Sequence, residues 1–105
     1  MSNLFEGIPA SLPEEWVTSL LEQDGVRVER IVSRGHTAPA AGWYDQTEHE
    51  WVAVLSGAAV LECEDGRQQT LKAGDHVLIT AGSKHRVAWT DPQVDTIWLA
   101  VLWSA

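Results

Sequence analysis

Short runs of apolar residues alternating with polar ones fill the chain from Val26 to Trp103, broken by glycine turns. Val26 to Ser33 reads as a strand. Further strands are predicted at about 43–46, 50–56, 58–64, 67–72, 76–80, 85–90 and 95–103. Asp65-Gly66 joins two of these runs as a tight hairpin, because Asp-Gly supplies the positive φ angles of a type I′ turn. Before Gly25 the pattern changes period. Ser11-Leu-Pro-Glu14 has the form of a capping box, and Trp16, Val17, Leu20 and Leu21 follow at helical spacing. This predicts a short α-helix over about residues 12–23, preceded by an arm over 1–10. Many short strands and one helix imply an all-β sandwich or small barrel. Residues 1–25 form an arm and helix packed on a barrel of residues 26–105, within one domain.

Two of the runs lack a polar face. Trp51-Val-Ala-Val-Leu55 and Ile97-Trp-Leu-Ala-Val-Leu-Trp103 are apolar on both sides, so one side fills a core and the other needs a cover. A single short helix is too small to supply it, and a homodimer is expected. Six tryptophans add a large aromatic investment in core, pocket or interface. The net charge of −8 argues against nucleic acid and anionic membranes as partners, since both are bound through Lys and Arg. No apolar run reaches the roughly 20 residues of a membrane span, and the first residues carry no basic leader. The lone Cys63 shares the phase of Ala59 and Leu61, which fits a small buried hydrophobe in a reducing compartment. A soluble, cytoplasmic protein is the expectation.

Strand parity selects the candidate chemistry. If Glu50 points inward, Val52 and Val54 go with it, and Trp51, Ala53 and Leu55 point out. If His85 points inward, so do Val87 and Trp89. Tyr44 and Gln46 share one phase ahead of Glu50, and Trp43 and Asp45 the other. The resulting pocket has apolar walls and a few convergent polar groups, the form of a small-ligand site. His36 stands in a Gly- and Pro-containing loop able to fold over its mouth, as a ligand or general base. His49 and His76 fall on rim or surface positions. Glu14 and Glu15 read as solvated charges, as do Glu62 and Glu64, and Arg34 and Arg86 as surface cations. No phosphate-binding glycine loop, serine elbow or Cys-His cluster is present.

Two stretches, Gly42 to Gly57 and Gly74 to His85, resemble the paired motifs of the cupin superfamily, small jelly-roll β-barrels. Glu50 stands seven residues before Gly57, as the family's motif glutamate stands before its glycine. Gly74, Gly82 and His85 keep the spacing of the second motif, with Thr80 where a proline is usual. The chain departs from the family where two histidines are expected. There it has Tyr44 and Gln46, or Trp43 and Asp45 under the longer spacing. The resemblance implies a cupin-type jelly-roll β-barrel with Glu50, His85 and Gln46 as ligands of a divalent transition metal such as Fe, Mn or Zn. Tyr44 or His36 would move a proton, and Trp89, Val52, Val87 and Trp43 would contact a small polar substrate. Dioxygenase, isomerase and lyase chemistry all occur on this scaffold. The alternative is a metal-free module binding a sugar or an aromatic metabolite.

Overall fold

The structure, a computed structural model, describes residues 2–105. Eight strands follow one another: β1 Trp16–Gln23, β2 Val26–Ser33, β3 Glu48–Ser56, β4 Ala58–Cys63, β5 Gln68–Lys72, β6 His76–Ile79, β7 His85–Thr90 and β8 Thr96–Ser104. They form a five-stranded sheet in the order β1-β2-β8-β3-β6 and a three-stranded sheet in the order β5-β4-β7. All named pairings are antiparallel. The two sheets face each other as a flattened barrel, the jelly-roll arrangement.

The α-helix expected over residues 12–23 is absent, and no helix occurs among the described residues. Residues 16–23 instead form β1, paired along the whole of β2 from Trp16↔Val32 to Gln23↔Val26. The pairing shifts between Ser19 and Leu21, so Leu20 is the extra residue of a β-bulge. That extra residue sets Trp16, Val17, Leu20 and Leu21 at a spacing that imitates a helical stripe. Val17 and Thr18 are β-branched and favour the strand, and without β1 the β2 edge would leave a row of backbone groups unpaired. The boundary expected at residue 25 therefore separates two neighbouring strands of one sheet.

The N-terminal arm lies along the outside of that sheet, held by side chains of β2 and the loop after it. Arg30 donates to the Leu4 and Glu6 carbonyls at 3.1 and 2.6 Å, and its guanidinium stacks on Trp16. Arg34 donates to the Ala10 carbonyl at 2.8 Å and pairs with Asp95.

Between the sheets, Val52, Val54, Ala59, Leu61, Leu71, Trp98, Ala100 and Leu102 form the buried core. Ile31, Val77, Ile79 and Val87 pack against it. Gly57 makes the tight passage from β3 to β4 at a φ of 87°. A Cβ there would stand 2.6 Å from the Thr96 Cα and 2.7 Å from the Asp95 carbonyl oxygen, so only glycine fits. The other face of the five-stranded sheet carries an apolar row one residue deep, Leu21–Val28–Val101–Trp51–Leu78, crossing all five strands in register. Leu21 and Leu78 at its ends are about half exposed. No helix is long and apolar enough to cross a membrane among the described residues.

Candidate functional site

One end of the barrel holds an open-mouthed cavity of about 170 Å³. Strand parity places Glu50 and Val52 of β3, His85 and Val87 of β7, and Leu61 of β4 on its wall. Tyr44 and Gln46 join them from the segment before β3. Tyr44 is positioned by a two-way backbone bridge to His85, its N–H donating to the His85 carbonyl at 2.8 Å and its carbonyl accepting in return at 3.2 Å. The bridge also sets the two rings 5.4 Å apart. Gln46 is fixed by its carbonyl, which accepts the Gly82 N–H at 2.9 Å. The two motif stretches are thus stitched together by backbone bonds directly under the site. Gly82 takes up a φ of 79° to make that turn.

Glu50 and His85 are buried, and His85 Nε2 faces Glu50 Oε1 at 3.9 Å. His85 Nδ1 lies 2.9 Å from the Ser83 carbonyl oxygen, which can only accept, so Nδ1 carries a hydrogen. In the neutral ring, Nε2 then turns a lone pair toward the carboxylate. This is the tautomer and orientation of a metal-binding histidine held by a backbone carbonyl. Gln46 Oε1 is fully buried and has no hydrogen-bond partner. Burial pushes the Glu50 carboxyl above the ordinary carboxylate range, while His85 and the Gln46 amide pull it part of the way back. Burial also raises the Tyr44 phenol, and the negative charges of Glu15 and Glu50 raise it further, so Tyr44 stays a protonated donor.

The remaining expected site residues lie elsewhere. Trp89 does not line the cavity and is 43% exposed. In the β4–β7 ladder Val60 pairs with Trp89 and Leu61 with Val87, so Ala88 is an inserted residue that reverses the strand's phase. Trp43 points away from the cavity, its ring 4.4 Å from the Arg86 guanidinium, and Asp45 is exposed. Tyr44 and Gln46 therefore occupy the positions facing the cavity. His36 is spent on structure: Nε2–H donates to the Leu12 carbonyl at 3.0 Å and Nδ1 accepts the Arg34 N–H at 2.9 Å. With both nitrogens engaged, the ring ties the N-terminal segment to the loop after β2.

The cavity also contains groups that the linear pattern did not select. Glu15, just before β1, reaches its wall. It accepts from the fully buried Ser33 hydroxyl at 3.1 Å, and that hydroxyl accepts the Trp98 indole N–H at 3.2 Å. Burial raises the Glu15 carboxyl, against the opposing pull of the Ser33 bond and His36. Arg27 lines the cavity too, donating to Glu29 at 3.0 Å and lying 3.1 Å from Glu48. Only the pairing of β1 with β2 brings Glu15 inside, and nothing in the local sequence distinguishes it from Glu14.

The donor set bears on the metal that the resemblance implies. Among the described residues, no group of three or more His, Cys, Asp and Glu side chains is placed to hold one. An imidazole lone pair, a carboxylate 3.9 Å from it and a buried amide oxygen without a partner nevertheless fit a divalent ion.

A family model described as the cupin domain matches residues 31–102, more than half of the chain. The chain belongs to the cupin family. Among curated proteins none matches it. Of solved structures, one from Ralstonia eutropha JMP134, described as a candidate mannose-6-phosphate isomerase, is 42% identical with a TM-score of 0.93. The similarity covers 100% of this chain and 98% of that one. A cupin superfamily protein from Desulfitobacterium hafniense DCB-2 is 15% identical with a TM-score of 0.76, covering 93% of this chain and 84% of that one. An uncharacterised double-stranded β-helix protein from Klebsiella pneumoniae is 21% identical with a TM-score of 0.80, covering 99% and 84%. These last two share the fold alone.

Proposed function

We propose that this cupin holds a divalent transition metal, Fe, Mn or Zn, on Glu50, His85 and Gln46, and acts on a small polar metabolite in the cavity above them. The observation that carries the reading is a pair of acceptors facing each other, His85 Nε2, fixed by its Nδ1–H bond, and Glu50 Oε1 3.9 Å away, with Gln46 on the same cavity wall. An ion held there would supply Lewis-acid polarisation of substrate oxygens. Tyr44, kept protonated by its surroundings, donates a hydrogen bond to a substrate oxygen. Val52, Leu61 and Val87 exclude water and strengthen each of these polar contacts. The Ralstonia relative, described as a candidate isomerase of a small sugar derivative, supports a small-metabolite role, and the reaction class stays within the dioxygenase, isomerase and lyase range.

A second reading, a metal-free binding module for a sugar or aromatic metabolite, is favoured by the lack of a third His, Cys, Asp or Glu beside Glu50 and His85 among the described residues. Tyr44 would be its stacking surface, since Trp43 and Trp89 lie outside the cavity. Metal analysis of protein purified without chelator decides between the two. Near-stoichiometric metal in the wild type, lost in Glu50→Ala and in His85→Ala, is the expected result; a metal-free wild type overturns the first reading in favour of the second.

We also propose that two copies pair through the outer face of the five-stranded sheet. The row Leu21–Val28–Val101–Trp51–Leu78 presents apolar side chains from every strand, and a two-fold axis through it would set the row against itself. Sedimentation at micromolar concentration should give a dimer, converted to a monomer by Trp51→Glu or Leu78→Glu. A monomeric wild type would exclude the pairing.

A further inference from the structure

The polar groups that face the cavity are nearly all acceptors. His85 Nε2 in the neutral ring, the Glu50 carboxylate and Gln46 Oε1 have no hydrogen to give; the Gln46 amide N–H is already turned to Glu50, and Gln46 Oε1 has no hydrogen-bond partner among the described residues. Glu15 accepts from Ser33 through one oxygen, and among the described residues no other hydrogen bond reaches it. The one guanidinium on the wall, Arg27, is already claimed from two sides by Glu29 and Glu48. A ligand entering this space meets carboxylates and lone pairs, with the Tyr44 hydroxyl as the unclaimed donor.

The metal proposed above would satisfy the acceptors around His85. It would not satisfy Glu15, which lines the cavity from just before β1 and is oriented by Ser33 and Trp98. A single carboxylate is a poor metal site, but it suits an ammonium group, which offers three hydrogens. Charge points the same way. The phosphate of a hexose phosphate is an acceptor-only dianion that would be driven against Glu15 and Glu50.

We infer that this site takes a small primary ammonium compound, its cation held by Glu15, and rejects sugar phosphates. Glu15 and the Ser33 that positions it set this specificity. The inference rests on the reading of the cavity as a small-metabolite site, and it separates this chain from the substrate in the description of its Ralstonia relative.

Three probes of one shape test it on the full chain: isobutylammonium, isobutanol and isobutyrate, with mannose 6-phosphate as the fourth. Binding is followed by the assigned Trp98 indole N–H resonance in ¹H–¹⁵N spectra. Isobutylammonium should bind at least about ten-fold more tightly than its two isosteres, a difference of about 1.4 kcal/mol. Mannose 6-phosphate should leave the resonance in place. Glu15→Gln, which keeps the side chain's shape, should erase the preference, and Ser33→Ala should weaken it. Tighter binding of isobutyrate or mannose 6-phosphate overturns the inference, as does a preference that survives Glu15→Gln or an absence of response to all four probes. The metal assay fails separately. Metal-free protein that prefers the ammonium breaks the metal reading alone, and metal-loaded protein without that preference breaks this inference alone.

Discussion

The two polar clusters of the cavity are built by different means. Around His85, two stretches distant in sequence are joined by short backbone bonds, Tyr44 to His85 and Gly82 to Gln46, and side chains project from that frame at regular strand spacing. Around Glu15, one carboxylate enters from the edge strand and is oriented by a side-chain relay, Trp98 to Ser33 to Glu15. The first cluster depends on backbone register, the second on a single buried hydroxyl. Backbone register is specified many times over by the ladders of β3, β7 and β8, whereas the relay has one link and no reserve.

The largest effect that would break this contrast is expected at Gln46. Gln46→Leu removes the unpartnered amide oxygen and the amide beside Glu50, and should lower metal affinity about 10- to 100-fold while leaving the fold intact. Metal titration against a competing chelator measures it; unchanged affinity would remove Gln46 from the ligand set. Ser33→Ala comes next. It strands the Trp98 indole N–H in the core and should cost about 1–3 kcal/mol of stability in denaturant melts, with no loss of bound metal. A loss of metal in that variant would show that the two clusters act as one unit. His36→Ala should cost about 1 kcal/mol, since it frees the Leu12 carbonyl and the Arg34 N–H at a half-buried site. An accompanying loss of metal would restore His36 to the site.

The smallest effect is a pH dependence that the two clusters share. Burial raises both Glu15 and Glu50 above their ordinary value, so the folded protein holds protons that the unfolded chain has released. Their contribution to stability is complete below the ordinary carboxylate value and is lost as pH rises through the raised folded values. Glu50→Gln should therefore flatten the decline in melting temperature on the alkaline side of the carboxylate range and raise stability near pH 7. A melting temperature that rises over that interval in the wild type, and falls in the variant, would reverse the assignment. Divalent metal added to the wild type should oppose the same decline, because an ion favours the ionised carboxylate.

Much of the barrel was legible because strand period and glycine spacing are local quantities. Val26–Ser33 was placed to the residue, the strands from Glu48 to Ser104 lay within about two residues, and Glu50, Val52, His85 and Val87 faced inward as their parity required. The two errors of strand phase share one cause. The bulge at Leu20 made β1 look helical, and the inserted Ala88 turned Trp89 to the outside. A β-bulge adds one residue and reverses every side chain beyond it, and nothing in composition marks where it falls.

What the amino-acid sequence determined by itself was the barrel and its central pair. Alternation specifies which face of a strand is buried, Gly57 is the only residue that passes Thr96, and the spacing of Glu50 and His85 from their glycines survives folding because each lies on one short strand and turn. Tertiary structure decided which of Tyr44, Gln46, Trp43 and Asp45 faces the cavity, and it withdrew His36 into a structural bond. It also placed Glu15 beside the site. These depend on bulges, strand pairing and side-chain relays between residues far apart in the chain, so no local pattern carries them.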